Sequence, residues 1–220
     1  MSSEASQQAA SIVDSIQKVT VVGAGTMGNG IAQVFATSGF PVTIIDPFEA
    51  SLERARGAID NSLGRMVKKE KISADDAQSI LGRVSFETSL TAAKGSQWAV
   101  EAIPEEEKLK EDVLSGLDEN VDEGGVIASN TSSISITRLA SYTKRPERFV
   151  GMHFMNPVPM MKLVEVIRGH KTDDAVLEAT MELSRRLGKE PWQAEDYPGF
   201  VANRILCPML NEAMYALMEG

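Results

Sequence analysis

The sequence has a single cysteine, Cys207, so no disulfide can form within the chain, as suits a reducing compartment. Between Leu206 and Pro208 this thiol reads as a small buried hydrophobe rather than a nucleophile. No apolar run approaches the ~18 residues of a membrane-spanning helix, so no membrane partner is expected. Arginine is missing from the first sixteen residues, which are rich in Ser, Ala and Gln and carry Glu4 and Asp14. They lack both a secretory apolar core and the basic, acid-poor character of a transit peptide. The expectation is a disordered tail over residues 1–17 of a cytoplasmic protein, with a peroxisomal or organellar address left open. Positive charge is also short, with 22 Lys and Arg against 31 Asp and Glu and a net charge of −9. That balance argues against nucleic acid as a partner, since basic stripes supply such affinity. A nucleotide can still bind where positive charge is local. Histidine is nearly absent, with only His153 and His170.

From Lys18 onward, short apolar runs alternate with helical periodicity, the mark of an α/β fold around a mostly parallel sheet. Val19 to Val22 reads as a strand buried on both faces, and Val42 to Ile45, Val84 to Phe86, Trp98 to Ile103 and Val126 to Ser129 read as further strands. Leu52, Ala55, Ile59, Leu63 and Met66 mark one face of a long helix, and Leu109, Val113 and Leu117 that of another. Phe149 to Phe154, a turn at Asn156-Pro157-Val158-Pro159, and Leu163 to Ile167 follow, adding strands after the sixth. Asp173 can cap a helix carrying Val176, Leu177, Thr180, Leu183 and Leu187, with Gly188 ending it. From Pro198 the chain reads as helix to its end, with more apolar surface than a helix covered on one side needs. A partner subunit or a further domain is expected to cover it. This organisation divides the chain into a tail at 1–17, a Rossmann-type doubly wound domain at 18–196, and a helical segment at 197–220.

Gly23-Ala24-Gly25-Thr26-Met27-Gly28 is a G-x-G-x-x-G that follows a strand and opens a helix, and Asp46 ends the next strand eighteen residues beyond Gly28. That context is what a dinucleotide-binding turn requires. The glycines permit a tight turn and close approach of backbone to pyrophosphate, which sits at a helix N-terminus. Asp46 can accept hydrogen bonds from the adenosine ribose hydroxyls and would repel a 2′-phosphate, which favours NAD over NADP. The bland reading of Asp46 is a turn residue before Pro47.

Ligands of open α/β sheets bind beyond the carboxyl ends of the strands, and Glu105, Ser132 and His153 all arrive there. Glu165 lies twelve residues after His153 across a chain reversal, which can set a carboxylate against the imidazole. Such a pair suits alcohol oxidation, in which a base takes the hydroxyl proton. Each has a plainer reading too. Ser132 can cap the short helix carrying Ile134, Ile136 and Leu139, and Glu105 to Glu107 can favour a helix N-terminus. Arg65, Lys68, Lys69 and Lys71 can be a solvated face or a patch for a phosphorylated substrate. Met152, Met155, Met160 and Met161 read as core or acyl-pocket lining.

These segments resemble the 3-hydroxyacyl-CoA dehydrogenase family. The resemblance rests on Val22 to Gly28, Ser129 to Ser133, His153 to Pro159, Met161 to Val166 and Asp196 to Arg204, and it spans the chain from Lys18 onward. It implies NAD-dependent oxidation of a (3S)-3-hydroxyacyl-CoA, or the reverse, as in 3-hydroxybutyryl-CoA formation. It implies His153 as base with Glu165 as its partner, and Ser132 and Asn203 as substrate contacts. It further implies that Glu105, Lys110, Asn130 and Asn156 lie near the nicotinamide half of the cofactor or the substrate. Ser62 and Lys69 match positions that touch coenzyme A. The terminal helix then corresponds to the first of a helical domain that supports a homodimer in the family. Two rivals remain open: a dehydrogenase of small unactivated hydroxy acids on the same scaffold, and an NAD(H)-binding protein without turnover.

Overall fold

The β-branched and apolar runs form strands β1 (Val19–Val22), β2 (Val42–Ile45), β3 (Val84–Glu87), β4 (Trp98–Glu101), β5 (Val126–Ser129) and β6 (Phe149–Phe154). In this computed structural model, which describes the backbone from residue 3 and side chains from residue 7, they join β7 (Leu163–Arg168) and β8 (Glu190–Glu195) in one sheet. Its eight strands run in the order β3-β2-β1-β4-β5-β6-β7-β8. The first six are parallel, β7 is antiparallel to β6, and β8 is parallel to β7. Every residue of β1, β2, β4, β5 and β6 is buried, as helices on both faces demand of a parallel sheet. The chain crosses from one half of the sheet to the other between β1 and β4, where doubly wound folds open their ligand crevice.

The helices are α1 (Ser3–Asp14), α2 (Thr26–Thr37), α3 (Glu49–Lys68), α4 (Ala74–Gly82), α5 (Glu107–Asn120), α6 (Ile136–Ala140), α7 (Asp174–Arg186) and α8 (Ala202–Glu219). One apolar layer joins α1, α2, α3 and α7 to the sheet, and a second joins α5 and α6 to the other face. In α3 the expected face is buried at Leu52, Ala55, Ile59 and Leu63.

Several expectations are corrected. The tail expected over residues 1–17 is helical from Ser3 to Asp14; it packs on α7, burying Ala9, Val13 and Ile16, with Asp14 paired to Arg186 at 2.7 Å. The Ser- and Gln-rich composition masked an apolar stripe at helical spacing. In α5 the buried face is Lys110, Leu114, Leu117 and Asp118, while Leu109 is exposed, because a buried carboxylate of β4 draws Lys110 inward. Asp173 precedes α7 but its side chain accepts no capping hydrogen bond. The last helix starts at Ala202 and not at Pro198: Gly199 and Phe200 take positive φ of 78° and 47°, tucking Phe200 into the core. No residue of α8 is buried, and Cys207 is exposed on it, contrary to its expected place in a core. The strand β8 and helix α4 went unread, although Ser73 and Asp76 form a reciprocal capping box at the start of α4.

Candidate active site

The glycines of the β1–α2 turn are explained one by one. Gly23 has φ of 105°, and a Cβ there would lie 2.5 Å from the carbonyl oxygen of Ala102, just past β4. A Cβ on Gly28 would lie 1.7 Å from the Gly23 oxygen, so only hydrogen lets α2 pack against the turn. Gly25 is different. It is the N-cap of α2, it has φ of −68°, and a Cβ there would meet nothing within 4 Å. Open space therefore lies over the first turn of α2, at Thr26 and Met27, where unpaired backbone N–H groups and the helix dipole favour an anion. A dinucleotide pyrophosphate fits this cradle. Asp46 accepts hydrogen bonds from the Ala24 N–H at 2.9 Å and the Phe48 N–H at 3.1 Å. The carboxylate thus braces the turn and, half-exposed, retains acceptor capacity for ribose hydroxyls.

The second grouping is held by side chains. The registers of β6 and β7 set His153 directly opposite Glu165, so both side chains share one face of the sheet. His153 Nδ1 lies 2.8 Å from Glu165 Oε2, and Nε2 lies 3.0 Å from the Ser132 hydroxyl. Ser132 does not cap α6; Ser135 does, accepting from the Arg138 N–H at 3.2 Å. The other oxygen of Glu165 accepts the N–H groups of Val201 at 3.0 Å and Ala202 at 2.8 Å, where the chain enters α8. Burial works against the charge on Glu165 but is outweighed by His153 and these two N–H donors, so its carboxyl is held below the usual range. Asn203 donates to the Ser132 carbonyl over 3.4 Å, and Phe200 meets the imidazole edge-on with centroids 5.7 Å apart.

Behind Ser132 stands a network that begins with Glu101, a fully buried carboxylate that the sequence reading missed. It accepts hydrogen bonds from Lys110 at 2.5 Å, Ser129 at 2.6 Å and the Ile103 N–H at 2.9 Å. Lys110 also pairs with Glu105 at 3.3 Å. Glu105 in turn accepts from the Thr131 hydroxyl at 2.5 Å and the N–H groups of Ser132 and Ser133 at 2.9 and 3.1 Å. Burial opposes the Glu105 charge, but the Thr131 hydroxyl, the Lys110 ammonium and the Ser132 N–H prevail and hold its carboxyl low. Lys110 is only 1% exposed and fully engaged, so it acts behind Glu105 instead of reaching a ligand itself. Asn130 is buried too, its side-chain oxygen accepting the Phe154 N–H at 2.8 Å. The available signal for Glu101 was a carboxylate ending a strand otherwise buried on both faces, which demands a partner. Removing one partner from such a buried ion pair costs about 3–5 kcal/mol.

The third grouping is a cleft of about 490 Å³ that brings Thr26 of the dinucleotide turn together with Ser62 and Lys69 of the basic α3 end and with Asn156. Arg65 and Lys71 line it as well, so the basic cluster faces a cavity and is more than a solvated surface. His153, Ser132 and Asp46 do not line this cleft; they stand apart from it along the carboxyl edge of the sheet. His170 is exposed in a turn and joins none of the groupings.

Residues 18–197 match the family described as 3-hydroxyacyl-CoA dehydrogenase, NAD binding domain. The chain belongs to this family. It is 49% identical over 203 residues to a probable 3-hydroxybutyryl-CoA dehydrogenase of Deinococcus radiodurans, covering 92% of this chain and 73% of that one. It is 42% identical over 205 residues to the mitochondrial hydroxyacyl-coenzyme A dehydrogenase of Rattus norvegicus, covering 90% of this chain and 65% of that relative. The crystal structure of (S)-3-hydroxybutyryl-CoA dehydrogenase from Ralstonia eutropha superposes with a TM-score of 0.91 at 49% identity, over 94% of this chain and 73% of that one. The fold is thus the Rossmann-type doubly wound sheet of the family, and its cofactor is NAD. No helix among the described residues is long and apolar enough to cross a membrane.

Proposed function

We propose that this chain interconverts a (3S)-3-hydroxyacyl-CoA and the 3-oxoacyl-CoA, with His153 as the acid–base group. One observation carries the reading: both imidazole nitrogens are committed, Nδ1 to Glu165 at 2.8 Å and Nε2 towards Ser132 at 3.0 Å. Glu165 is a carboxylate, so Nδ1 carries the proton it donates and Nε2 presents its lone pair. That lone pair takes the proton of the substrate hydroxyl, and the Glu165 charge stabilises the imidazolium that results. The low-held carboxyl of Glu165 suits it to this part, because it stays ionised while its neighbour gains charge. Ser132 shares the reacting oxygen, and Asn203 lies beside it to hold the thioester carbonyl. Gly23, Gly25, Thr26, Met27, Gly28 and Asp46 hold NAD, with Glu105, Asn130 and Asn156 on its nicotinamide side. NAD, when bound, supplies the hydride acceptor. Ser62 and Lys69 receive the phosphates of coenzyme A in the cleft that also holds Asn156.

We place the reaction in β-oxidation-type acyl-CoA metabolism in the cytoplasm, with the exposed apolar face of α8 as the surface through which a homodimer forms. A second reading, NAD(H) binding without turnover, is favoured by that exposure, since α8 carries Asn203 and buries none of its residues. The deciding measurement is NADH oxidation by the 220-residue chain with acetoacetyl-CoA, alongside NADH binding. The proposal expects turnover that falls about a thousandfold in His153→Ala, within the range of general acid–base catalysis, while NADH binding stays within about twofold. Binding without turnover selects the second reading.

A further inference from the structure

Lys189 is buried, 8% exposed, three residues past the end of α7, and it is the ammonium the reaction does not use. Among the described residues it has no ion-pair partner, and burial alone pushes its pKa down. Its ammonium instead donates to two backbone carbonyls, Val158 at 2.5 Å and Met161 at 2.8 Å. Both belong to the loop between β6 and β7, whose residues Asn156 to Met160 form one wall of the 490 Å³ cleft opposite Ser62 and Lys69. On its other side the wall meets α2 at Gly30, where a Cβ would lie 2.9 Å from Val158 Cβ. Beside Lys189, a hollow of about 240 Å³ separates Met160 and Met161 from Val34 and Thr37 of α2. Close packing therefore does not back the loop there, whereas the charged donor does.

We infer that Lys189 is a positioning residue for acyl-CoA recognition, clamping the Asn156–Met161 wall against α2 through the Val158 and Met161 carbonyls. A buried charge without a counter-ion is expensive unless hydrogen-bonded, and here its bonds go to the one segment that joins the reacting strand to the cleft. The inference rests on the reading of the cleft as the coenzyme A site. It predicts a split: the cleft depends on Lys189, while the dinucleotide turn, braced by Asp46 and packed on β4, does not.

The test uses the 220-residue chain and its Lys189→Met variant, which keeps length and removes both donors. Acetoacetyl-CoA and NADH dissociation constants are measured by calorimetry, and tryptic cleavage after Lys162 is timed. The expected result is acetoacetyl-CoA binding weakened about tenfold, equivalent to ~1.4 kcal/mol, with NADH binding within about twofold and faster cleavage at Lys162. Unchanged acetoacetyl-CoA affinity in the variant overturns the clamp, as does equal weakening of both ligands. Should the wild-type chain bind NADH but not acetoacetyl-CoA, the cleft assignment fails first and the inference with it, a pattern distinct from failure of the clamp alone. If Lys189→Met does not fold, the shorter Lys189→Gln reads the same two constants and must show the same split.

Discussion

The dinucleotide turn and the reacting centre stand on the same edge of one sheet but are built in opposite ways. The turn is six contiguous residues, Gly23 to Gly28, and its work is done by backbone: what matters is the absence of side chains. The reacting centre is assembled from Ser132 after β5, His153 on β6, Glu165 on β7, and the Val201 and Ala202 N–H groups entering α8. Here everything depends on side-chain chemistry and on registers between strands. A methyl added to the turn should therefore weaken binding without touching the chemistry. A group removed from the centre should abolish chemistry without touching binding.

After His153→Ala, the largest expected effect is that of Glu165→Gln. It should lower kcat about a hundredfold, within the range of acid–base catalysis, because the imidazolium loses its charge partner. NADH affinity should not follow; if it fell in parallel, the two regions would be one cooperative unit and the comparison would break. The same variant carries a pH signature. Glu165 and Glu105 are held below the usual carboxyl range, so their contribution to stability is complete above the ordinary Glu pKa of about 4.3. It is lost as pH falls through the depressed values. Melting temperatures followed down to about pH 3 should decline below about pH 4 in the wild type and less steeply in Glu165→Gln.

Next in size is the contrast between two glycines of the turn. Gly25→Ala meets nothing in the protein, so it should keep the wild-type melting temperature yet weaken NADH binding about tenfold, ~1.4 kcal/mol, by occupying the pyrophosphate space. Gly28→Ala has no room for its methyl and should lose stability by more than about 2 kcal/mol. Equal melting temperatures for the two would contradict the close-packing account. The smallest effect is expected of Asp46→Asn. A few-fold loss of preference for NADH over NADPH should accompany roughly 1 kcal/mol of stability, since the carboxylate also braces Ala24 and Phe48.

Much of this was legible in advance wherever the cause is local. Four-residue runs such as Val19–Val22 announced buried parallel strands, and the glycine turn with Asp46 announced the cofactor, because their constraints act within a few residues. The helical stripe of Ala9, Val13 and Ile16 was equally local but was hidden by polar composition around it. The inward face of α5 was read through Leu109 and not Lys110, since nothing nearby in sequence shows that Glu101 will be buried beside Lys110. Asn203 and the N–H groups of Val201 and Ala202 could not be chosen from spacing at all.

The sequence by itself determined the alternation of strands and helices, the dinucleotide turn and the family, because these follow from periodicity, glycine sterics and contiguous motifs. Only the tertiary structure decided that Ser132 faces His153, that Glu165 is gripped by the start of α8, that Glu101 commands Lys110, and that Lys189 clamps the cleft wall. Those contacts join residues separated by nine to thirty-seven positions, and their energies depend on burial that no stretch of sequence carries alone.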